Sequence, residues 1–225
     1  VTKNILVVGA SGVFGGLLTQ KFAELGYQVL GTASSNDSAA KIPAAASVKL
    51  LLDLEKNSSI ELLANYLKSQ ATQLHGVAFA SGLVAFGDNL PSAATDRLFA
   101  ANATGPIKLL SQLDELIAPG ESDSIPSFLC GITGVVAEKP MASLAPYSAS
   151  KAAFSAYLKA QTRPMAKRGI LVQDARPPHT ETGLATRPIF GTAPNFGLGL
   201  EPATVIDRIV AGLIAKESEI TAASF

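Results

Sequence analysis

Asn4-Ile5-Leu6-Val7-Val8-Gly9-Ala10-Ser11-Gly12-Val13-Phe14-Gly15 is the stretch that decides the fold. Asn4–Val8 reads as a buried strand, and a helix begins inside the glycines that follow it. Three glycines in such a turn have three uses. One permits the tight bend, one lets backbone approach a pyrophosphate, and one lets helix and strand pack closely. The helix start then presents unpaired N–H groups and partial positive charge to an anion. A glycine pattern alone also fits an ordinary strand-to-helix turn. Its place directly after the first strand makes a dinucleotide-binding turn the expectation.

Outward from this turn, short β-branched runs alternate with segments of helical period. Strands are expected at Gln28–Thr32, Val48–Leu52, Gly76–Ala80, Ser127–Gly131 and Ile170–Ala175. Phe14, Leu17, Leu18, Phe22 and Leu25 form a helical stripe closed by Gly26. Ser58–Ala71, Ala93–Ile117 and Tyr147–Lys167 read as further helices, and Pro202–Lys216 as the last. This alternation predicts an α/β fold, a doubly wound parallel sheet of six to seven strands with helices on both faces. No repeat or linker interrupts it, so residues 1–225 are expected to form a single dinucleotide-binding domain. Two long loops, about 131–146 and 176–201, are expected to hold substrate. Only nine residues follow the last helix, so a seventh strand must be very short.

Composition narrows the function. Of 225 residues, 48% are apolar and 16% charged, with 18 basic against 18 acidic side chains. A net charge of zero provides no broad basic footprint for nucleic acid. One cysteine excludes an internal disulfide framework and fits a reducing compartment, and with two histidines it leaves too few soft ligands for an ordinary zinc site. No apolar run reaches the ~20 residues of a membrane helix. No basic-then-apolar pattern of the signal-peptide kind is read from Val1 onward. A cytoplasmic protein is the expectation, without metal, membrane or nucleic-acid partner.

The second strand runs into Thr32-Ala33-Ser34-Ser35 with no acid before Asp37. A dinucleotide without a 2′-phosphate usually meets an acid near this point. Hydroxyls of Thr32, Ser34 and Ser35 favour NADP(H), while NAD(H) stays open if Asp37 reaches the ribose. Farther on, Tyr147-Ser148-Ala149-Ser150-Lys151 sets a tyrosine and a lysine four residues apart, on one face of a helix.

The glycine loop, Asp53-Leu54, Asn102, the Tyr147–Lys151 pair and Pro177-Pro178-His179-Thr180-Glu181-Thr182 occur in the order of the short-chain dehydrogenase/reductase family. The chain resembles that family over nearly its whole length, and Val29–Ser35 resembles bacterial 3-oxoacyl-carrier-protein reductases. The resemblance implies a Rossmann-type sheet and hydride transfer between NADP(H) and a small carbonyl or alcohol substrate, in a homodimer or homotetramer. It implies Tyr147 as acid/base, Lys151 on the nicotinamide ribose, Asn102 in the proton relay, and Asp53 on the adenine amino group. Cofactor contacts are expected from Gly9, Ser11, Gly12, Val13, Phe14, Gly15, Ser34, Leu54, Ala80, Gly82, Lys151, Pro177, Thr180 and Thr182. Free tyrosine titrates near 10, and a neighbouring ammonium would lower it.

The chain departs from the family where a serine normally precedes the tyrosine by about a dozen residues: position 134 is glycine. Thr133 supplies the hydroxyl, or Ser143 reaches in, or the hydroxyl is gone. The family's Asn-Asn-Ala-Gly reads Phe79-Ala80-Ser81-Gly82, and its Pro-Gly reads Pro177-Pro178. The alternative is therefore a catalytically degenerate dinucleotide-binding regulator or sensor. His75 reads as a turn residue, His179 as a solvated loop residue, and Cys130 as a small buried hydrophobe.

Overall fold

The computed structural model describes residues 3–120 and 124–225, so Val1 lies outside the described residues. Seven strands form one parallel sheet: β1 (Asn4–Val8), β2 (Gln28–Ala33), β3 (Val48–Leu51), β4 (Leu74–Phe79), β5 (Phe128–Ile132), β6 (Leu171–Ala175) and β7 (Glu219–Ile220). Their order is β3-β2-β1-β4-β5-β6-β7, a Rossmann-type arrangement. The last strand has two residues, Asp174 and Ala175 of β6 pairing with Glu219 and Ile220.

Alternation within each strand explains why both faces are covered. Leu6 and Val8 of β1 enter one core with Val77 and Phe79 of β4, while Ile5 and Val7 enter the other with Ala78. Helices α3 (Asn57–Ser69), α5 (Gly105–Leu113) and α6 (Ala145–Ala166) close the first core through Ile60, Leu67, Leu109, Phe154 and Leu158. Helices α1 (Val13–Glu24) and α7 (Pro202–Ile214) close the second through Leu18, Phe22, Val205 and Ile209. The stripe of α1 ends as read. Gly26 takes φ +86°, and the N–H groups of Gly26 and Tyr27 return to the carbonyls of Ala23 and Phe22.

Three elements differ from the sequence reading. A four-residue helix, α2 (Asn36–Ala39), follows β2. It has no apolar period to announce it and is held by reciprocal capping between Ser35 and Ser38. The helix expected over Ala93–Ile117 is two helices, α4 (Ser92–Phe99) and α5, joined by one wide π-helical turn at Ala100–Thr104. Strand β4 begins at Leu74, so His75 is a buried strand residue rather than a turn. Its Nε2 lies 2.9 Å from the Ile125 carbonyl, and its ring stacks on Tyr27.

β1 lies between β2 and β4, so the chain crosses in opposite directions on its two sides. The loops leaving the carboxyl ends of β1 and β4 diverge there and open a crevice.

Candidate active site

The crevice is a cleft of about 500 Å³. Gly9 turns at φ +86°, and its N–H donates to Thr32 Oγ1 at 3.1 Å, which fixes the bend. A Cβ on Gly15 would stand 2.1 Å from the Gly9 carbonyl oxygen, so only glycine lets α1 start this close to the turn. No side chain caps α1, and Gly12, Val13 and Phe14 line the cleft with the helix start. A Cβ on Gly9 would meet Ser81 at 2.9 Å, and the buried Ser81 Oγ has no hydrogen-bond partner within the protein. Uncapped N–H groups, a bend with glycine at both ends and an unpartnered hydroxyl fit a pyrophosphate.

Of the residues singled out from the sequence, Gly9, Ser11, Gly12, Val13, Phe14, Ser34, Asp53, Leu54, Ala80, Gly82, Thr133, Tyr147, Lys151, Pro177, Thr180 and Thr182 all line this one cleft. Gly15 and Asn102 stand behind its wall. At the ribose end, the Thr32 hydroxyl is turned to Gly9 and the Ser35 hydroxyl accepts from Ser38 N–H. Ser34 and Ser38 line the cleft, but the Ser38 hydroxyl is engaged in the capping, donating to the Ser35 carbonyl at 3.0 Å, which leaves Ser34 facing the cleft. Asp37 is exposed on α2, away from the lining. Asp53 accepts from Glu55 N–H at 3.0 Å and pairs with Lys56 at 2.8 Å, contacts that orient its carboxylate at the cleft edge.

Tyr147 and Lys151 are one turn apart on α6. The wide turn before α5 carries Asn102, a place where π-helical turns often serve a site. Asn102 Oδ1 accepts from Leu83 N–H at 2.9 Å, and its amide donates to the Leu83 carbonyl at 2.9 Å and to Ser150 Oγ at 3.0 Å. Ser150 Oγ in turn donates to the Tyr147 carbonyl at 2.7 Å. Asn102 thus ties the loop after β4 to the first turn of α6. Lys151 Nζ donates to the Ile132 carbonyl at 3.1 Å. A Cβ on Gly82 would lie 3.1 Å from Lys151 Nζ and 3.3 Å from Asn102 Oδ1, so both groups converge over that glycine.

Burial pushes the Tyr147 phenol up to about 12. This is opposite to the lowering expected from the neighbouring ammonium. Burial also brings Lys151 down to about 8, against the field of Asp174, which raises it. At neutral pH the pair is a protonated phenol beside a charged ammonium.

The three options for the absent serine are separated by geometry. Thr133 is fully buried, and its hydroxyl donates to Asp174 Oδ1 at 2.5 Å. Ser143 is outside the cleft lining, and its carbonyl accepts from Gly87 N–H. Gly134 takes φ +82°, ψ 162°, a region almost confined to glycine. The chain here is built around glycine, with the Thr133 hydroxyl turned to Asp174 and Ser143 off the lining.

Beyond Tyr147 the cleft is apolar, formed by Val84, Phe86, Val136 and Leu144 with Leu184 and Phe196 packed on them. The loop after β6 folds across as a cover. Its base is closed by the pairing of Thr180 with Leu200. Its middle is laced to the loop after β4, Ile189 N–H donating to the Val84 carbonyl and Phe86 N–H to the Phe190 carbonyl, each at 2.9 Å. His179 is a half-buried loop residue that lines the cleft, its ring 5.1 Å from that of Phe196. Cys130 is a buried β5 residue whose thiol burial pushes up to about 12.

Sequence reasoning passed over Ser81, Ser150 and Asp174. Asp174 carried a legible signal, an acid in a strand otherwise read as buried. Ser81 and Ser150 carried none, since serines in loops and helix starts are ordinary.

A model of the short chain dehydrogenase family matches residues 3–188. The chain belongs to that family. No curated protein sequence matches it. Among solved structures, a short-chain dehydrogenase from Sphingobium yanoikuyae in complex with NADPH is 21% identical, with 97% of this chain and 87% of that one covered at a TM-score of 0.81. The landomycin C-6 ketoreductase LanV, solved with NADP and rabelomycin, is 22% identical over 99% and 95% of the two chains at 0.81. A family protein from Francisella tularensis subsp. tularensis is 15% identical over 100% and 99% at 0.80. At these identities the likeness establishes the fold. Among the described residues no helix is long and apolar enough to cross a membrane.

Proposed function

We propose that the chain is an NADP(H)-dependent oxidoreductase that interconverts a carbonyl and an alcohol, with Tyr147 as acid/base. One observation carries this reading: Tyr147 and Lys151 share a single cleft with an uncapped glycine loop, and Lys151 meets Asn102 over Gly82. The 2′-phosphate preference draws on Ser34 at the ribose end, on the outward position of Asp37, and on relatives solved with NADPH or NADP.

In this reading the backbone around Gly12–Phe14 binds the pyrophosphate, Asp53 accepts from the adenine amino group, and Thr180 and Thr182 bind the carboxamide. Lys151 holds the nicotinamide ribose. The bound cofactor supplies or accepts the hydride. Tyr147 Oη donates its proton to the substrate oxygen as negative charge develops there, and Lys151 stabilises the phenolate left behind. Asn102 acts by holding Leu83 and the start of α6 in place. The cover loop excludes water, and its apolar wall favours a substrate with hydrophobic bulk. A homodimer or homotetramer is supported by the exposed, low-relief Ala149, Ala156 and Ala160 of α6.

NADPH consumption, followed by its absorbance against a panel of ketones, aldehydes and diketones, tests the reaction. Turnover lost in Tyr147→Phe is the expected result, and an active Phe variant refutes the assignment. A second reading, a dinucleotide-responsive regulator, draws on Gly134 and on the engaged hydroxyl of Thr133. Tight NADPH binding with no compound consumed would favour it.

A further inference from the structure

Behind the Tyr147–Lys151 pair lies a charge cluster that the proposed reaction does not use. Tyr147, Lys151 and Ser155 follow at four-residue intervals and form one stripe along α6. Ser155 Oγ donates to Asp174 Oδ2 at 2.5 Å, and Thr133 Oγ1 to Asp174 Oδ1 at 2.5 Å. Thr133 directly follows Ile132, whose carbonyl receives Lys151 Nζ. Asp174 is therefore fastened to both segments that hold Lys151, one turn along its helix and one residue along its strand partner. It is 4% exposed, a costly place for a carboxylate without a compensating role.

The surrounding charges leave this carboxylate incompletely neutralised. Arg176 pairs with Asp174 at 3.3 Å, but also with Glu138 at 3.1 Å and Glu219 at 2.7 Å. Lys159 stands 3.6 Å from Glu219, on the exposed side of the cluster. Three carboxylates share one inner guanidinium, so negative charge is left over toward α6.

We propose that Asp174 is a positioning residue for the Tyr147–Lys151 pair, its buried carboxylate serving as the counter-charge that keeps the Lys151 ammonium protonated. The charged or titratable groups disposed around Lys151 are Tyr147 one turn back on its own helix and Asp174 on β6, with Arg176 paired behind Asp174, while His179 lines the same cleft from the cover loop. Glu138, Glu219 and Lys159 act through Arg176. Asp174 is the carboxylate whose field raises Lys151 against burial. Without it, burial favours the neutral amine, which can neither hold a ribose hydroxyl by charge nor stabilise the Tyr147 phenolate. This role in catalysis rests on the proposed reaction, but the charge state of Lys151 does not.

The test follows the Cε resonance of Lys151 in isotope-labelled, cofactor-free protein through a pH titration, with the signal assigned by Lys151→Arg. Asp174→Asn keeps the shape and removes the charge. Its Lys151 midpoint is expected to fall by about one pH unit or more, with the alkaline limb of NADPH-dependent reduction moving down by the same amount. Asp174→Ser is the second charge-free variant, should the amide fold poorly. Ser155→Ala removes one hydrogen bond and leaves the charge, so its midpoint is expected to stay. A folded Asp174 variant with an unmoved midpoint overturns the proposal. Absence of NADPH binding or turnover in the parent protein would instead sink the proposed reaction and leave the titration result intact.

Discussion

The two ends of the cleft are built by different means. At the glycine loop the groups on offer are backbone N–H donors, and the sequence serves them by deleting side chains: Gly9 at positive φ, and Gly15 with its missing Cβ 2.1 Å from a carbonyl. At the substrate end the surface is made by side chains from three loops, Val84 and Phe86, Val136 and Leu144, Leu184 and Phe196. Backbone recognition demands one residue type at fixed spacing. A side-chain wall demands only volume and polarity, which many sequences meet. One end therefore identifies the family, and the other withholds the substrate.

Substitutions can break or sharpen this contrast. Tyr147→Phe removes the proposed acid at the side-chain end and touches nothing at the backbone end. Turnover should drop about a thousandfold while NADPH binding, followed by fluorescence, is kept; loss of both would mean that the ends are not separable. Gly15→Ala drives a Cβ into fixed backbone. It should cost roughly 1–3 kcal/mol in urea unfolding and weaken NADPH binding with it, and a variant of parental stability would show that α1 and its strand can part freely. Gly134→Ser places a side chain in a glycine-only conformation, at roughly 1–3 kcal/mol, with no gain in kcat. A faster enzyme would mean that the hydroxyl alone was missing.

The pH dependence follows from the direction at Lys151. Its pKa is lowered by burial to about 8, so the ammonium is present below that pH and lost above it. Carbonyl reduction should hold near neutrality and fall about tenfold per unit beyond this midpoint, as initial rates across a buffer series would reveal. The smallest effect belongs to Ser34→Ala, which should weaken NADPH binding by roughly tenfold and leave NADH unchanged. Equal losses for the two would place Ser34 away from the 2′-phosphate.

Legibility in the sequence followed the same division. Strand positions were readable to within two residues because each buried strand is a short apolar run. The π-helical turn at Ala100–Thr104 was not, since helical spacing is nearly continuous through it. Thr133 could be identified as the hydroxyl nearest the gap, but its direction depends on Asp174, forty-one residues away. The upward shift of Tyr147 in the cofactor-free protein was hidden for a related reason. A lysine four residues on is visible in the text, whereas the burial that outweighs it is a property of the packed molecule.

The cover loop is laced to its neighbour by main-chain bonds at Val84–Ile189 and Phe86–Phe190, with Gly191 pressed so near Phe86 that a Cβ would fall 1.9 Å from its carbonyl oxygen. The main-chain part of that fastening does not depend on which side chains stand at 184, 185 and 196, although Leu184 and Phe196 add apolar packing on Val84 and Phe86, so swaps that keep apolar volume there should leave it in place. Mutational drift or laboratory selection can reshape what the enzyme accepts while the closure stays as it is, provided that position 191 is left as glycine.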